Sequence, residues 1–148
     1  MPLDSIPVKA YPLRDYRLTG WREHIAGRWH YRDLNADPAW RNGWISFDTV
    51  TWNPNDRSIY CGLNSLDGDL LYRFEPESEQ FVCLDTQRWT DAFDSKIHRV
   101  LLHNPLAGCF YFATSLLHDA DQHLEAKGGK VVRYDPAQNS YEILSVPA

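Results

Sequence analysis

One local pattern occurs twice in this chain, and a duplicated pattern restricts the fold more than any single segment does. Leu70 to Leu84 reads LLYRFEPESEQFVCL, and Val131 to Leu144 reads VVRYDPAQNSYEIL. Both run apolar–arginine–aromatic–acid–proline, then a polar turn, then a short apolar segment. Tyr72-Arg73-Phe74-Glu75-Pro76 falls on Val132-Arg133-Tyr134-Asp135-Pro136 at a displacement of 60 residues. Upstream, Asn53-Pro54 falls on Asn104-Pro105, and Ile59-Tyr60-Cys61-Gly62 on Phe110-Tyr111-Phe112-Ala113, both at 51 residues. The matches keep their order, so the second copy carries nine extra residues (60 less 51), within Leu116 to Gly129.

Each copy divides into four short runs. In the first they are Phe47–Asn53, Ser58–Asn64, Asp69–Glu75 and Gln80–Leu84. In the second they are His98–Asn104, Cys109–Ser115, Lys130–Asp135 and Ser140–Leu144. These runs hold the β-branched and aromatic residues that suit a pleated surface. Between them stand polar linkers with Pro54, Pro76, Pro105 and Pro136, where a fixed φ and a missing N–H end a strand. Alternation predicts that Tyr72 and Phe74 share one face, as do Val132 and Tyr134, while Arg73 and Arg133 point elsewhere. The arginines are expected to pair with Glu75, Asp135 or a neighbouring carboxylate across the units. Four strands of about five residues, repeated at roughly 40–50, suit a propeller blade. Two adjacent four-stranded units would also suit a β-sandwich or an open sheet.

The repeat resembles the YDP-type blades of six- and seven-bladed propellers, among them SMP-30/gluconolactonase-like, virginiamycin B lyase-like and kelch-type proteins. Arg73-Phe74-Glu75-Pro76 and Arg133-Tyr134-Asp135-Pro136 carry the likeness, with the Ile59–Gly62 and Phe110–Ala113 runs. The resemblance implies an all-β fold: two four-stranded antiparallel blades, a partial β-propeller, at residues 46–95 and 96–148. Residues 1–45 form an aromatic-rich leading segment. Within it, Leu18–Trp21 and Gly27–Arg32 are expected as strands of an incomplete blade, and Asp37–Gly43 as a loop ending in a turn. Its aromatics are expected to serve packing and closure, or else a sugar-stacking surface. Two blades leave two faces uncovered, so further blades of a longer chain, self-association or the leading segment are expected to cover them.

Bulk properties exclude several partners. Net charge is −5 and the 15 Lys and Arg are scattered, which argues against nucleic acid and anionic membranes. No apolar run is long enough to span a bilayer as a helix. Met1-Pro2-Leu3-Asp4 lacks the basic start of a secretory signal, so a cytoplasmic location is expected by default. Cys61, Cys83 and Cys109 are an odd number without zinc spacing, in apolar runs, and are expected as buried free thiols.

Chemistry is expected near the channel end of the strands. Trp44, Trp52, Asn64, His98 and Ser115 are the candidate ligand-binding residues there, for a small molecule, a carbohydrate or a protein partner. The extra loop holds His118, Asp119, Asp121 and His123. Imidazoles interspersed with carboxylates form a plausible shell for a divalent metal, Mn, Zn, Ca or Mg, completed by His98 if the loop folds over the channel. An ordinary solvated loop would show the same residues. Propellers of the resembled kinds include metal-dependent lyases and lactonases, which is the alternative reading to a non-catalytic binding segment. No nucleophile motif and no phosphate-cradling glycine loop is present, so catalytic residues are not assigned.

Overall fold

A computed structural model describes residues 7–13 and 30–147. Two short helices, α1 (Tyr31–Ala36) and α2 (Pro38–Gly43), precede eight strands. The strands are β1 (Ile45–Asn53), β2 (Ser58–Ser65), β3 (Leu71–Glu75), β4 (Gln80–Cys83), β5 (Asp94–Asn104), β6 (Cys109–Leu116), β7 (Val131–Asp135) and β8 (Ser140–Ser145). The eight strand runs expected from the repeat are thus all present. The main shift is at β5, which begins at Asp94 because Asp94 pairs with Leu116 ahead of His98.

Turn chemistry sets this meander. The four tight hairpins have the sequences NPNDR, EPESE, NPLAG and DPAQN, with proline second and a left-handed residue fifth. That fifth residue is Arg57 (φ 56°), Glu79 (φ 58°), Gly108 (φ 65°) or Asn139 (φ 46°). A left-handed residue after a type I turn re-enters a strand with the right twist. The residue before proline accepts from the turn: Asn53 Oδ1 from Asn55 N–H (3.1 Å), Asn104 Oδ1 from Leu106 N–H (3.1 Å) and Asp135 Oδ1 from Ala137 N–H (3.0 Å).

The pairing is antiparallel throughout, in the order β4-β3-β2-β5-β6-β7-β8, with β1 also on β2. Strands β1–β4 and β5–β8 are two four-stranded units, joined by the bridge between Asn64 and Lys96 into one curled sheet. The fold is therefore mostly β, built from antiparallel repeats, but helices α1 and α2 depart from the all-β expectation.

The main core lies between the units. Tyr60, Leu70, Leu71 and Leu84 of the first pack against Ile97, Leu101, Phe110, Phe112, Val132 and Tyr134 of the second. The rings of Tyr60 and Phe110 lie 4.3 Å apart, close enough to add about 1 kcal/mol beyond area burial. The tyrosine hydroxyl is satisfied by Asp56 Oδ2 at 2.6 Å. Close approach at the seam requires Gly62, where a Cβ would sit 2.6 Å from Thr49 Cγ2 and 2.9 Å from Ile97 Cγ2.

The same face of each unit points the same way. Val132 and Tyr134 face the first unit, whereas their counterparts Tyr72 and Phe74 face away from the second. Segment 7–13 lies on that outer face, where the Tyr11 ring is 5.0 Å from Phe74 and Lys9 pairs with Glu79. The cross-unit arginine pairs expected from the sequence do not form. Arg73 bonds Glu75 (2.6 Å) and Arg133 bonds Glu142 (3.3 Å), each inside its own hairpin, because a strand neighbour is nearer than the facing unit.

Cys61 and Cys109 are buried free thiols, as expected, and burial pushes the Cys61 thiol up to about 11. Cys83 is free but only half-buried. Leu18–Trp21, and residues 27–29 of the other strand expected early in the chain, lie outside the described residues. His30 precedes a helix rather than extending a strand. Asp37–Gly43 is also helical instead of a loop: Asp37 Oδ1 accepts from Ala39 N–H (2.8 Å) and Pro38 opens α2. Asp-Pro is an N-cap followed by proline at the first helical position, a start signal masked by the turn character of the pair.

The second unit is braced by a buried charge. Lys130 contacts Asp94, which is fully buried, and Asp91 at 3.0 Å, while Thr114 Oγ1 donates to Asp94 Oδ1 at 2.7 Å. Breaking a buried pair leaves an uncompensated charge. Lys130→Ala is expected to cost about 3 kcal/mol in urea unfolding, and Lys130→Met with Asp94→Leu to recover most of it. Equal loss in both variants would show that packing alone, not charge compensation, is at stake.

Candidate functional site

The first strands of the two units, β1 and β5, each bulge at equivalent positions of the repeat. In β1 the register shifts between Phe47 and Thr49, leaving Asp48 extra; in β5 it shifts between Ile97 and Leu101. Asp48 plus the 51-residue displacement is Arg99, at the centre of the second bulge and left-handed at φ 57°. Bulges re-aim side chains, and a non-glycine residue at positive φ is held there by its surroundings. Here the holder is Asp48, whose Oδ2 accepts from Arg99 N–H at 2.9 Å. His98 Nδ1 lies 3.3 Å from the same oxygen, off the line of a hydrogen bond, so this nitrogen is buried without a bonded partner. The rest of the imidazole reaches solvent. Asp48, His98 and Arg99 thus gather a carboxylate, an imidazole and a guanidinium-bearing residue where the two units meet.

The extra loop is tied down by α1. Asp119 accepts from Tyr31 N–H (2.7 Å) and Arg32 Nε (2.9 Å), and Arg32 also grips Asp121. The carboxylate of Asp119 therefore caps the start of a helix far away in sequence. Hydrogen bonds from Arg32 hold the carboxyls of Asp119 and Asp121 below the usual range, more than offsetting desolvation. His118 Nδ1 sits 2.9 Å from Asp119 O, and its ring is 5.7 Å from that of His123 and 5.8 Å from that of Phe93. Between α1 and this loop runs a groove of about 220 Å³, lined by Tyr31, Arg32, Asn35, Phe93 and Gln122.

The expected metal shell is not assembled. Asp119 and Asp121 are engaged by Arg32, and His98 of β5 faces Asp48 of β1. Among the described residues no group of three or more His, Cys, Asp and Glu surrounds a common point. The five expected ligand-binding residues do not all come together. Trp44 ends α2 and packs beside Tyr31, Leu34, Trp40 and Leu66. Trp52 stands half-exposed on the outer face of β1. Asn64 and Ser115 both pair with Lys96, on either side of β5. Only His98 belongs to the bulge site. Asp48, Arg99 and Arg32 were missed by sequence reasoning. The signal for the first two was their equivalence in the repeat, whereas Arg32 carried none.

No helix among the described residues is long and apolar enough to cross a membrane. No family model, curated protein or solved structure matches the chain.

The depressed carboxyls make loop docking acid-sensitive. A carboxyl whose folded pKa is lowered contributes stability above its unfolded pKa and loses it as pH falls through the folded value. Amide exchange across residues 117–126 is expected to accelerate below about pH 4 while β5 and β6 stay protected. Arg32→Gln is expected to give the same fast exchange at neutral pH. Protection unchanged in that variant would remove Arg32 as the clamp.

Proposed function

We propose that the chain is a propeller-type repeat segment that binds a small polyhydroxylated molecule, of the carbohydrate class, between its inner strands at Asp48 and His98. The observation that carries this reading is the paired bulge. Two equivalent units stack with like faces in the same direction, and both inner strands break register at the same place to present side chains. That stacking supports two blades of a propeller, in which inner strands border the axis. A carboxylate fixed by a backbone N–H, beside an imidazole whose outer edge reaches solvent, offers an acceptor and an adaptable partner for adjacent hydroxyls. The reading is one of binding, in which Asp48 is held in place by the Arg99 N–H.

The test is a titration of the full chain with glucose, galactose, mannose and glucuronate, followed by backbone amide NMR shifts. Shifts centred on Arg99, with binding weakened about 10-fold or more by Asp48→Asn or His98→Ala, are expected, as befits a charge-assisted hydrogen bond. Shifts confined to other surfaces, or none with any of these sugars, would sink this reading.

A further inference from the structure

The seam between the two units recurs on their outer sides, where Tyr11 covers the Phe74 part of the first unit's outer face and leaves Val50 and Trp52 exposed. The displacement of 51 residues maps each side of the filled seam onto an open one. On its second-unit side, Leu101 and His103 of β5 stand opposite Phe112 and Phe110, facing the first unit. Their counterparts in β1 are Val50 and Trp52, opposite Cys61 and Ile59 on the outer face, and they are 61% and 49% exposed. On the first-unit side, Thr51 of β1 bonds the Leu101 carbonyl across the seam. Its counterpart in β5 is Leu102, opposite Tyr111 on the far face, 61% exposed and neighboured by Val100 at 54%.

The molecule therefore carries a complementary pair of surfaces at opposite sides of the inner strands. One, around Val50 and Trp52, is the socket that Leu101 and His103 represent internally. The other, around Leu102 and Val100, is the plug that Thr51 and Thr49 represent internally. At the plug the repeat replaces two threonines with valine and leucine, so exposure there is apolar where the internal copy is polar. Isolated surface hydrophobics are unremarkable, but four in register with a known packing seam are a docking surface.

We infer that this chain associates with a second copy of itself head to tail, the Leu102 side of one molecule seating on the Val50–Trp52 side of the next. The inference rests on the repeat reading above, and its occupant follows from the internal seam, which already shows how such faces fit. Tyr111, the counterpart of Tyr60, would then lie against Ile59, the counterpart of Phe110, extending the Tyr60–Phe110 contact from one molecule to the next. The contact is heterologous, so each molecule uses two different surfaces and the assembly grows beyond a dimer unless its rotation closes a ring.

Sedimentation of the full chain over a range of concentrations tests this directly. The wild type is expected to gain mass past the dimer as concentration rises. Val50→Lys and Leu102→Lys, both at exposed positions, should each be monomeric at concentrations where the wild type is associated, a weakening of about 10-fold or more. Circular dichroism and melting of each variant establish that it is folded. The decisive step is mixing: the Val50→Lys chain keeps its plug and the Leu102→Lys chain keeps its socket, so an equimolar mixture should stop at a heterodimer. A wild type that stays monomeric, or folded variants whose mixture stays monomeric, overturns the inference. So does Leu102→Lys alone forming dimers, which would mean a symmetric contact between two sockets. Each of these failures leaves the sugar titration at Asp48 and His98 unaffected, so the two readings fall separately.

Discussion

The contact between the inner face of β1–β4 and the opposing face of β5–β8 is the interaction on which the rest of the molecule depends. A single four-stranded meander has two faces and no interior; stacking of the units makes Tyr60, Phe110 and Val132 fully inaccessible. Tyr60 is decisive because it is both a large ring on Phe110 and a hydroxyl satisfied within its own unit by Asp56. It buries area without burying an unpaired polar group. The bulges at Asp48 and His98 exist because that stacking brings β1 and β5 side by side, with Gly62 permitting the approach.

Charge plays a supporting and directional part. Lys130 reaches back from just before β7 to Asp94, which opens β5, and to Asp91 just ahead of it, so the entries to two strands of the second unit are fastened at one point. Burial of Asp94 is tolerated because Thr114 satisfies its other oxygen. Arg32 does the corresponding work at the surface, holding the nine-residue excess of the second copy against α1. The loop that looked richest in metal-ligating side chains is thus a structural brace, and its carboxylates are spent on backbone N–H groups and a guanidinium.

Strands were legible in the sequence because their signals are local and were given twice. Proline in each turn, the apolar runs around it and the two displacements located all eight strands to within a few residues. The helices were not, because Asp37-Pro38 is as good a turn as it is an N-cap, and because Tyr31–Ala36 is stabilised by Asp119, remote in sequence. The surroundings of the expected site residues were hidden for the same reason. His98 was legible from its place on the first strand of the second unit. Its partner Asp48 depends on which residue a bulge ejects, and bulges follow from twist and cross-strand packing that no short pattern reports. The direction of Arg73 likewise reflects which face of its unit meets the neighbour, a fact of stacking rather than of alternation.

The capping of α1 by Asp119 orders events along the chain. A helix of six residues is too short to persist alone in water. The carboxylate that satisfies its first N–H groups is contributed by the loop between β6 and β7, some 88 positions later. During synthesis the segment from Tyr31 to Ala36 leaves the ribosome long before its cap exists. Among the described residues the first helix to be made is therefore completed only after most of the second unit has emerged.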